Sequence, residues 1–227
     1  MHLKPFAFLI LVMSTLPTTC LTAQDVRNTT VDEDRNDSVV DIRTAVRQGP
    51  RPLRPADFGV GRMIPDVEFR DFAGCQHRLS ECTGHTLTVV AVTSTSCPIS
   101  RRYLPTLAKL EKTYQVRDVV FTFVNPTPSD SDADIRAAIQ THNLQGAYVR
   151  DAEGKLLGPL GAKTTAECFV LDRARTLVYR GAVDDQYGFG YSLDAPRRML
   201  LSAALDALLT GQSPAVAATD EIGRAHV

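Results

Sequence analysis

Residues 86–93, TLTVVAVT, restrict the fold more than any other stretch. The run is continuously apolar and β-branched, which is typical of a central strand that is covered on both faces. The apolar residues beyond it recur at helical spacing, at Tyr103, Leu107, Leu110 and Tyr114. A buried strand therefore leads into an amphipathic helix, and the change from one to the other occurs at Cys97.

Further strands and helices follow in alternation. A half-buried strand is predicted near Val67 and Phe69, and a helix with an N-cap at Ser131 is predicted within 129–142. The other predicted elements are strands at 119–125, 147–150, 168–172 and 176–180, a short helical piece at 156–160, and a last helix from about 195 to 209. This order predicts an α/β fold with βαβ units and a terminal hairpin.

The N-terminal residues have the layout of a secretory signal. Lys4 precedes a short apolar run and then small polar residues, and cleavage is predicted after Ala23. Lipidation of Cys20 is a less favoured alternative, because Pro17, Thr18 and Thr19 are a poor context for it. The chain is therefore expected to be exported, to a periplasmic or other extracytoplasmic compartment where disulfides form.

The remaining organisation is a tether, one domain and a tail. Residues 24–57 are polar, charged and then proline-rich, so they are predicted to be a disordered tether, with the domain at 58–212 and a linker or tail at 213–227. The last seven residues, EIGRAHV, can be encoded by a common sequencing-library adapter that continues with a stop codon. We therefore expect 221–227 to be an artefact, and a further domain to be missing from the C-terminus.

The charge and motif content exclude several functions. The net charge is −1 and the isoelectric point is near 6.5, so no basic field is available to gather nucleic acid. No glycine-rich phosphate loop is present, and no cofactor is predicted. His77, His85 and His142 lack ligand spacing, so no metal site is predicted.

Cys97 has the surroundings of a reactive thiol. At a helix start, unpaired backbone N–H groups and the helix dipole stabilise a thiolate, and Pro98 at the first helical position forfeits no hydrogen bond. Ser94 and Ser100 flank the cysteine, and Arg101 lies in the first turn. The alternative interpretation, a small buried apolar residue, does not account for these hydroxyl-bearing neighbours. A lowered thiol pKa is therefore predicted.

The segment CPISRRYLPTLAKLEKTY resembles the active-site helix of the thioredoxin superfamily, with the nucleophile at its start and Pro105 within it. The stretch from Val60 to Arg180 resembles the redoxin branch that includes the alkyl hydroperoxide reductase and thiol-specific antioxidant (AhpC/TSA) proteins, in GVGRMIPDVEF and FVLDRARTLVYRG. The resemblance implies a thioredoxin-like three-layer α/β/α sandwich with a central mixed sheet. It also implies a redoxin domain of an exported bacterial protein.

The chain departs from both families at the site. Ser100 stands where a thioredoxin has its second cysteine, and Val90 stands where a peroxiredoxin has a proline. Ala166 occupies the place that faces the thiol, where thioredoxins have a cis-proline and peroxiredoxins an arginine. A CxxS thiol cannot release its own mixed disulfide, so the resolving thiol must come from elsewhere. By the fold analogy Cys168 is the candidate, although a core role is favoured for it.

Two other pairs of residues left alternatives open. Cys75 and Cys82 are predicted either to form a local disulfide or to remain isolated thiols. Asp184 and Asp185 are candidates for the edge of a binding groove, but a solvated acidic pair is the favoured interpretation.

The sequence therefore predicts an exported thiol oxidoreductase. Cys97 attacks a disulfide or a small peroxide, and in the peroxide version Ser94 and Arg101 orient the oxygens. The expected partner is a thiol or disulfide protein, or a small peroxide. The alternative is a non-catalytic thioredoxin-like interaction domain of a larger exported redox protein.

Overall fold

The structure is a computed structural model that describes residues 49–188 and 190–220. The predicted signal peptide, Cys20, most of the predicted tether and the tail at 221–227 lie outside the described residues.

The strands and helices follow the predicted order. The strands are β1 (Glu68–Arg70), β2 (Gln76–Arg78), β3 (Leu87–Val92), β4 (Val119–Asn125), β5 (Ala147–Arg150), β6 (Glu167–Asp172), β7 (Leu177–Ala182), β8 (Tyr187–Gly188) and β9 (Tyr191–Ser192). The helices are α1 (Leu79–Cys82), α2 (Pro98–Tyr114), α3 (Asp132–His142), α4 (Leu157–Leu160) and α5 (Leu200–Leu209). Two short 3₁₀ helices lie at Pro55–Phe58 and Gln115–Arg117.

A five-stranded mixed sheet in the order β5-β4-β3-β6-β7 forms the middle layer. Strands β3, β4 and β5 are parallel, whereas β6 is antiparallel to both of its neighbours, β3 and β7. All six residues of β3 are buried, as expected for a strand covered on both faces. The α/β thioredoxin-like fold predicted from the sequence is confirmed.

Each face of the sheet has its own apolar core. Helices α2, α3 and α5 cover one face, where Val89 and Ala91 of β3 meet Tyr103 and Leu107 of α2. The other face is covered by α1, α4 and the segment around β1, which pack against alternate residues of the same strands. The period of two along each strand therefore divides the side chains between two separate cores.

The strand directions bring five chain segments to one edge of the sheet. Since β3, β4, β5 and β7 run the same way and β6 runs opposite, the edge contains their C-terminal ends and the N-terminal end of β6. Cys97, Asp130, Asp151 and Asp184 follow four of these strands, and Ala166 precedes β6. We call this the Cys97 edge.

The last helix begins later than predicted. The periodic pattern suggested a start near 195, but α5 begins at Leu200. The carboxylate of Asp185 accepts the backbone N–H groups of Arg197 and Arg198 at 2.7 and 2.9 Å, which holds this segment outside the helix.

The packed domain is wider than the predicted 58–212. Ala218 and Thr219 are buried, and Thr219 pairs with Pro52 while Ala218 pairs with Arg180 of β7. Gly181 of β7 is needed at this contact, because a Cβ there would collide with the Thr219 hydroxyl. Segments assigned to tether and linker by their composition therefore pack on the edge strand, since polar composition alone does not prevent backbone pairing.

Candidate active site

Cys97 lies between β3 and α2, where the sequence placed it. It is the N-cap residue of α2, with extended backbone dihedrals (φ −81°, ψ 117°) and Pro98 directly after it. The carbonyl of Cys97 accepts the Arg101 N–H at 3.0 Å, which closes the first helical turn. The residue is 3% exposed. A sulfur at this position lies beside the positive end of the helix dipole.

The two predicted serines hold the loop that carries Cys97. The Ser94 hydroxyl accepts the Cys97 N–H at 3.3 Å, and the Ser100 hydroxyl accepts the Ser94 N–H at 2.8 Å. Both serines are buried, at 1% exposure. Their hydroxyls therefore replace the main-chain bonds that the turn between β3 and α2 cannot form by itself.

A buried carboxylate that the sequence analysis did not single out lies beside this loop. Oδ2 of Asp130 accepts the Ser94 hydroxyl at 2.9 Å, the Thr95 N–H at 2.6 Å and the Asn125 amide at 2.9 Å. Burial raises the pKa of Asp130, but the hydrogen bonds from Ser96, Asn125 and their neighbours outweigh burial, so the pKa is lowered. The sequence signal for this residue is its place in the segment that follows β4, the strand that pairs with β3.

Arg101 lies on the solvent side of the same region. It lines a groove of about 840 Å³ between α2 and α3, together with Asp130 and His142. The neighbouring Arg102 places its guanidinium 5.5 Å from the centre of the Tyr187 ring. Arg101 is exposed, so it is available to a ligand in the groove.

The segment before β6 closes the Cys97 edge opposite the end of β3. Ala166 is buried and donates its N–H to the Val92 carbonyl at 2.9 Å. Its φ of 70° lies in the left-handed region, which is strained for a residue with a Cβ. The hydroxyl oxygens of Thr164 and Thr165 are buried there without a hydrogen-bond partner among the described residues.

Cys168 lies inside β6, opposite Ala91 of β3 and Gly181 of β7. It is fully buried and carries a free thiol. Burial raises the pKa of this thiol well above its ordinary value, and the charges of Glu167 and Asp184 act in the same direction. These surroundings favour the core interpretation over the resolving role, which stays a prediction.

The solvated interpretation of Asp184 and Asp185 is wrong. Both are buried, at 1% and 6% exposure. Asp184 Oδ1 accepts the Tyr103 hydroxyl at 2.8 Å, and burial raises the pKa of this carboxyl. Asp185 also accepts the Arg198 guanidinium at 3.2 Å. The sequence could not reveal this burial, because the partners are distant in the chain. Tyr103 is 81 residues from Asp184, and Arg198 is 13 residues from Asp185.

Of the two alternatives for Cys75 and Cys82, the structure shows isolated thiols and no local disulfide between them. Cys75 is exposed, Cys82 is half-buried, and both carry free thiols. Within 49–188 and 190–220 no group of His, Cys, Asp and Glu side chains has the arrangement of a metal site. In the same residues, no helix is both long enough and apolar enough to span a bilayer.

Several solved structures share the fold, among them the following three. A hypothetical protein from Sinorhizobium meliloti matches with a TM-score of 0.65 and 24% identity over 77% of this chain and 94% of its own. An uncharacterized conserved protein from Geobacillus kaustophilus matches with a TM-score of 0.61 and 24% identity over 69% and 85%. A protein from Neisseria meningitidis, provisionally described as a thioredoxin, matches with a TM-score of 0.52 and 16% identity over 65% and 89%.

Sequence comparison gives the family. No curated protein matches the chain significantly. The AhpC/TSA family model matches residues 60–180, which include β3, Cys97, α2, β6 and the first four residues of β7. The match covers more than half of the chain, and it agrees with the thioredoxin-like architecture of the sheet. The chain therefore belongs to the AhpC/TSA family, as a thioredoxin-like redoxin domain.

Proposed function

We propose that the protein is a thiol-dependent oxidoreductase of the redoxin type, in which the Cys97 thiolate attacks a disulfide or a peroxide. The observation that carries this proposal is the place of Cys97 as the N-cap residue of α2, at the end of the central strand. The positive end of a helix dipole stabilises a thiolate there, and the thiolate is the nucleophile in both reactions.

With a disulfide substrate, the Cys97 thiolate attacks one sulfur and the other sulfur leaves as a thiolate. The product is a mixed disulfide on Cys97, which a second thiol must attack to release the reduced product. Ser100 stands where a thioredoxin has that thiol, and Cys168 is fully buried. We therefore propose that an external thiol resolves the mixed disulfide.

With a peroxide, the thiolate attacks one oxygen and the O–O bond breaks. Cys97 becomes a sulfenic acid, and the other oxygen leaves as an alkoxide or hydroxide that takes up a proton. Ser94 and Arg101 are the proposed groups that orient the two oxygens. We expect this reaction to be slow, because Val90 and Ala166 stand where peroxiredoxins have a proline and an arginine. Stopped-flow oxidation by hydrogen peroxide tests this expectation, and a rate near the diffusional range would contradict it.

The nucleophile is tested by alkylation. Iodoacetamide labelling across pH 5 to 9 is compared between a Cys75→Ser/Cys82→Ser background and the same background with Cys97→Ser. We expect labelling of Cys97 with a midpoint below the ordinary thiol pKa of about 8.5. Equal labelling of the two proteins at pH 6 would overturn the proposal.

The second candidate function is a non-catalytic interaction domain. The observation in its favour is the burial of Cys97, which is 3% exposed. This alternative predicts a thiol that is inaccessible or has an ordinary pKa in the same titration. It also predicts unchanged partner binding in Cys97→Ser.

We also propose that the chain is exported, with residues 1–23 as a cleaved signal peptide. The support is the sequence pattern of a charged residue, an apolar run and a small residue at the cut. Expression of the full chain in a bacterial host, followed by fractionation and intact mass, should give an extracytoplasmic product that begins at Gln24. A cytoplasmic product that retains Met1 to Ala23 would contradict export.

A further inference from the structure

Asp130 connects two parts of the Cys97 edge. It lies beyond β4, yet its Oδ2 accepts a side-chain bond from Ser94 and a backbone bond from Thr95, both in the loop before Cys97. A third bond, from Asn125 at the end of β4, holds the carboxylate from its own side. Asp130 is 3% exposed, so these bonds form with little competition from water.

The bonds form a directed chain that ends at the cysteine. The Ser94 hydroxyl donates its one proton to Asp130, so its lone pairs accept the Cys97 N–H at 3.3 Å and the Ser96 hydroxyl at 3.1 Å. A serine that donates to a carboxylate is a stronger acceptor than an isolated one, because the bonds polarise one another. The carboxylate thus acts on the backbone of Cys97 through Ser94.

We propose that Asp130 is a positioning residue that holds Cys97 at the start of α2, where the helix favours its thiolate; this role rests on the proposed function of Cys97. A carboxylate near a thiolate also opposes its charge by Coulomb repulsion. Positioning by Asp130 lowers the pKa of the Cys97 thiol, whereas repulsion raises it, so experiment can separate the two effects.

Two substitutions at this position separate geometry from charge. Asp130→Asn removes the charge but keeps an oxygen that can replace Oδ2 as the acceptor. Its amide nitrogen can then take the place of Oδ1, which has no partner among the described residues. Asp130→Ala removes both the charge and the acceptor. Asp151→Ala is the matched control, since Asp151 is also buried and accepts backbone N–H groups, from Leu156 and Leu157.

The measurement is the pH profile of Cys97 alkylation in the folded background lacking Cys75 and Cys82 thiols. We expect Asp130→Ala to raise the midpoint by roughly one pH unit, which lowers the labelling rate about tenfold at pH 6. Asp130→Asn should keep the wild-type midpoint or lower it, and Asp151→Ala should leave it unchanged. A purely structural loss would affect Asp130→Ala and Asp151→Ala alike.

Ser94→Ala provides a second route if Asp130→Ala does not fold. It removes the link between the carboxylate and Cys97, so it should raise the midpoint as Asp130→Ala does. Suppose that the wild-type midpoint is low and that Asp130→Ala leaves it unchanged or lowers it. That result, or the same result with Ser94→Ala if Asp130→Ala does not fold, would overturn the role of Asp130 but not the proposed function. An ordinary wild-type midpoint would overturn the proposed function and this role with it.

Discussion

The two buried cysteines lie in regions that stabilise their structure by different means. Cys97 belongs to residues 93–100, which comprise the loop after β3 and the first residues of α2 and which we call the Cys97 loop. Hydroxyl side chains hold this segment together, and neutral hydrogen-bond donors tie it to one carboxylate, that of Asp130. Cys168 belongs to the β6–β7 pair and packs in the core on the α2 side of the sheet. On the other face of the same strands, Arg180 and Glu167 form a buried ion pair, with the guanidinium 5.1 Å from the centre of the Phe169 ring. Exposure is almost equal, at 3% and 0%, so burial does not distinguish the two thiols.

The difference lies in what each region offers to a negative charge. The Cys97 loop ends at a helix N-terminus and contains N–H and O–H donors, which stabilise an anion. The β6 interior contains apolar groups, with the acidic side chains of Glu167 and Asp184 close enough to raise the pKa of Cys168. We therefore expect the proposed reactivity to depend on the first region and the stability of the fold to depend on the second.

The largest expected effect is on the rate of thiol–disulfide exchange, when Cys97 and Cys168 are each replaced by serine in separate variants. In the Cys75→Ser/Cys82→Ser background, Cys97→Ser should lower the rate of single-turnover exchange with an aromatic disulfide by at least about 100-fold, because the thiolate is lost. Cys168→Ser should keep that rate. Absorbance of the released aromatic thiolate measures both. Loss of multiple-turnover activity in a folded Cys168→Ser variant would instead identify Cys168 as the resolving thiol.

The ion pair of the second region gives the largest expected loss of stability. Arg180 donates to Glu167 at 3.0 Å and also to the carbonyls of Phe58 and Gly161. Arg180→Met leaves a buried carboxylate without its cation, so the free energy of unfolding should fall by about 3–5 kcal/mol. Denaturant unfolding measures this loss.

The matched control for the ion pair is the double variant Arg180→Met/Glu167→Leu. Because it removes both charges, it should be more stable than Arg180→Met alone. The Cys97 alkylation midpoint should stay unchanged in both variants under conditions where they are folded. A shift of that midpoint would contradict the expectation that the ion pair affects stability without affecting the reactivity of Cys97.

A smaller loss is expected where the two regions meet. Tyr103 of α2 donates its hydroxyl to Asp184 Oδ1, and Oδ2 of the same carboxyl has no partner among the described residues. Tyr103→Phe removes this donor and should lower the free energy of unfolding by about 1–3 kcal/mol at pH 7. Tyr114→Phe is the control, because the Tyr114 hydroxyl donates to a backbone carbonyl, that of Ser202, at 3.2 Å.

The pH dependence of this loss follows from the raised pKa of Asp184. A carboxyl whose folded pKa is above its unfolded value weakens the fold while ionised, and this penalty disappears as the pH falls through the folded pKa. The difference between Tyr103→Phe and wild type should therefore shrink on acidification from pH 7 towards pH 4. A difference that grows would show that the Tyr103 hydroxyl favours the protonated carboxyl over the anion.

The smallest expected effect distinguishes two carboxylates that follow neighbouring strands. The pKa of Asp130 is lowered, so its contribution to stability is present above the unfolded value of 3.8 and is lost as the pH falls through the folded pKa. Burial raises the pKa of Asp151, and its bonds from Leu157 and Leu156 compensate only in part. At pH 7, Asp130→Asn should destabilise the fold and Asp151→Asn should stabilise it, each by about 1 kcal/mol or less.

Thermal unfolding of both variants between pH 3.5 and pH 7 measures this contrast. The advantage of Asp151→Asn should decline as the pH falls through the raised folded pKa of Asp151 towards the unfolded value of 3.8. If both substitutions change the free energy of unfolding in the same direction at pH 7, the ionised forms of Asp130 and Asp151 do not differ in their effect on stability.

Features that depend on neighbours in sequence were predicted well. The strand around Val89, the helix from Pro98 and the N-cap at Ser131 all lie within a few residues of those predicted. Each follows from local periodicity or from a side chain that bonds three residues away, which the order of residues alone defines. The position of Cys97 between strand and helix follows from the same local pattern.

Features that depend on residues far apart in the chain required the tertiary structure. Asp130 reaches Ser94 across 36 positions, and Asp184 reaches Tyr103 across 81. Ala218 pairs with Arg180, although composition placed Ala218 in a linker. A carboxylate in a sequence of mixed charge is read as solvated unless its partners are known, because its environment depends on which strands become neighbours. Local patterns therefore determine where the thiol lies, whereas the pairing of β3 with β4 and β6 decides which polar groups surround it.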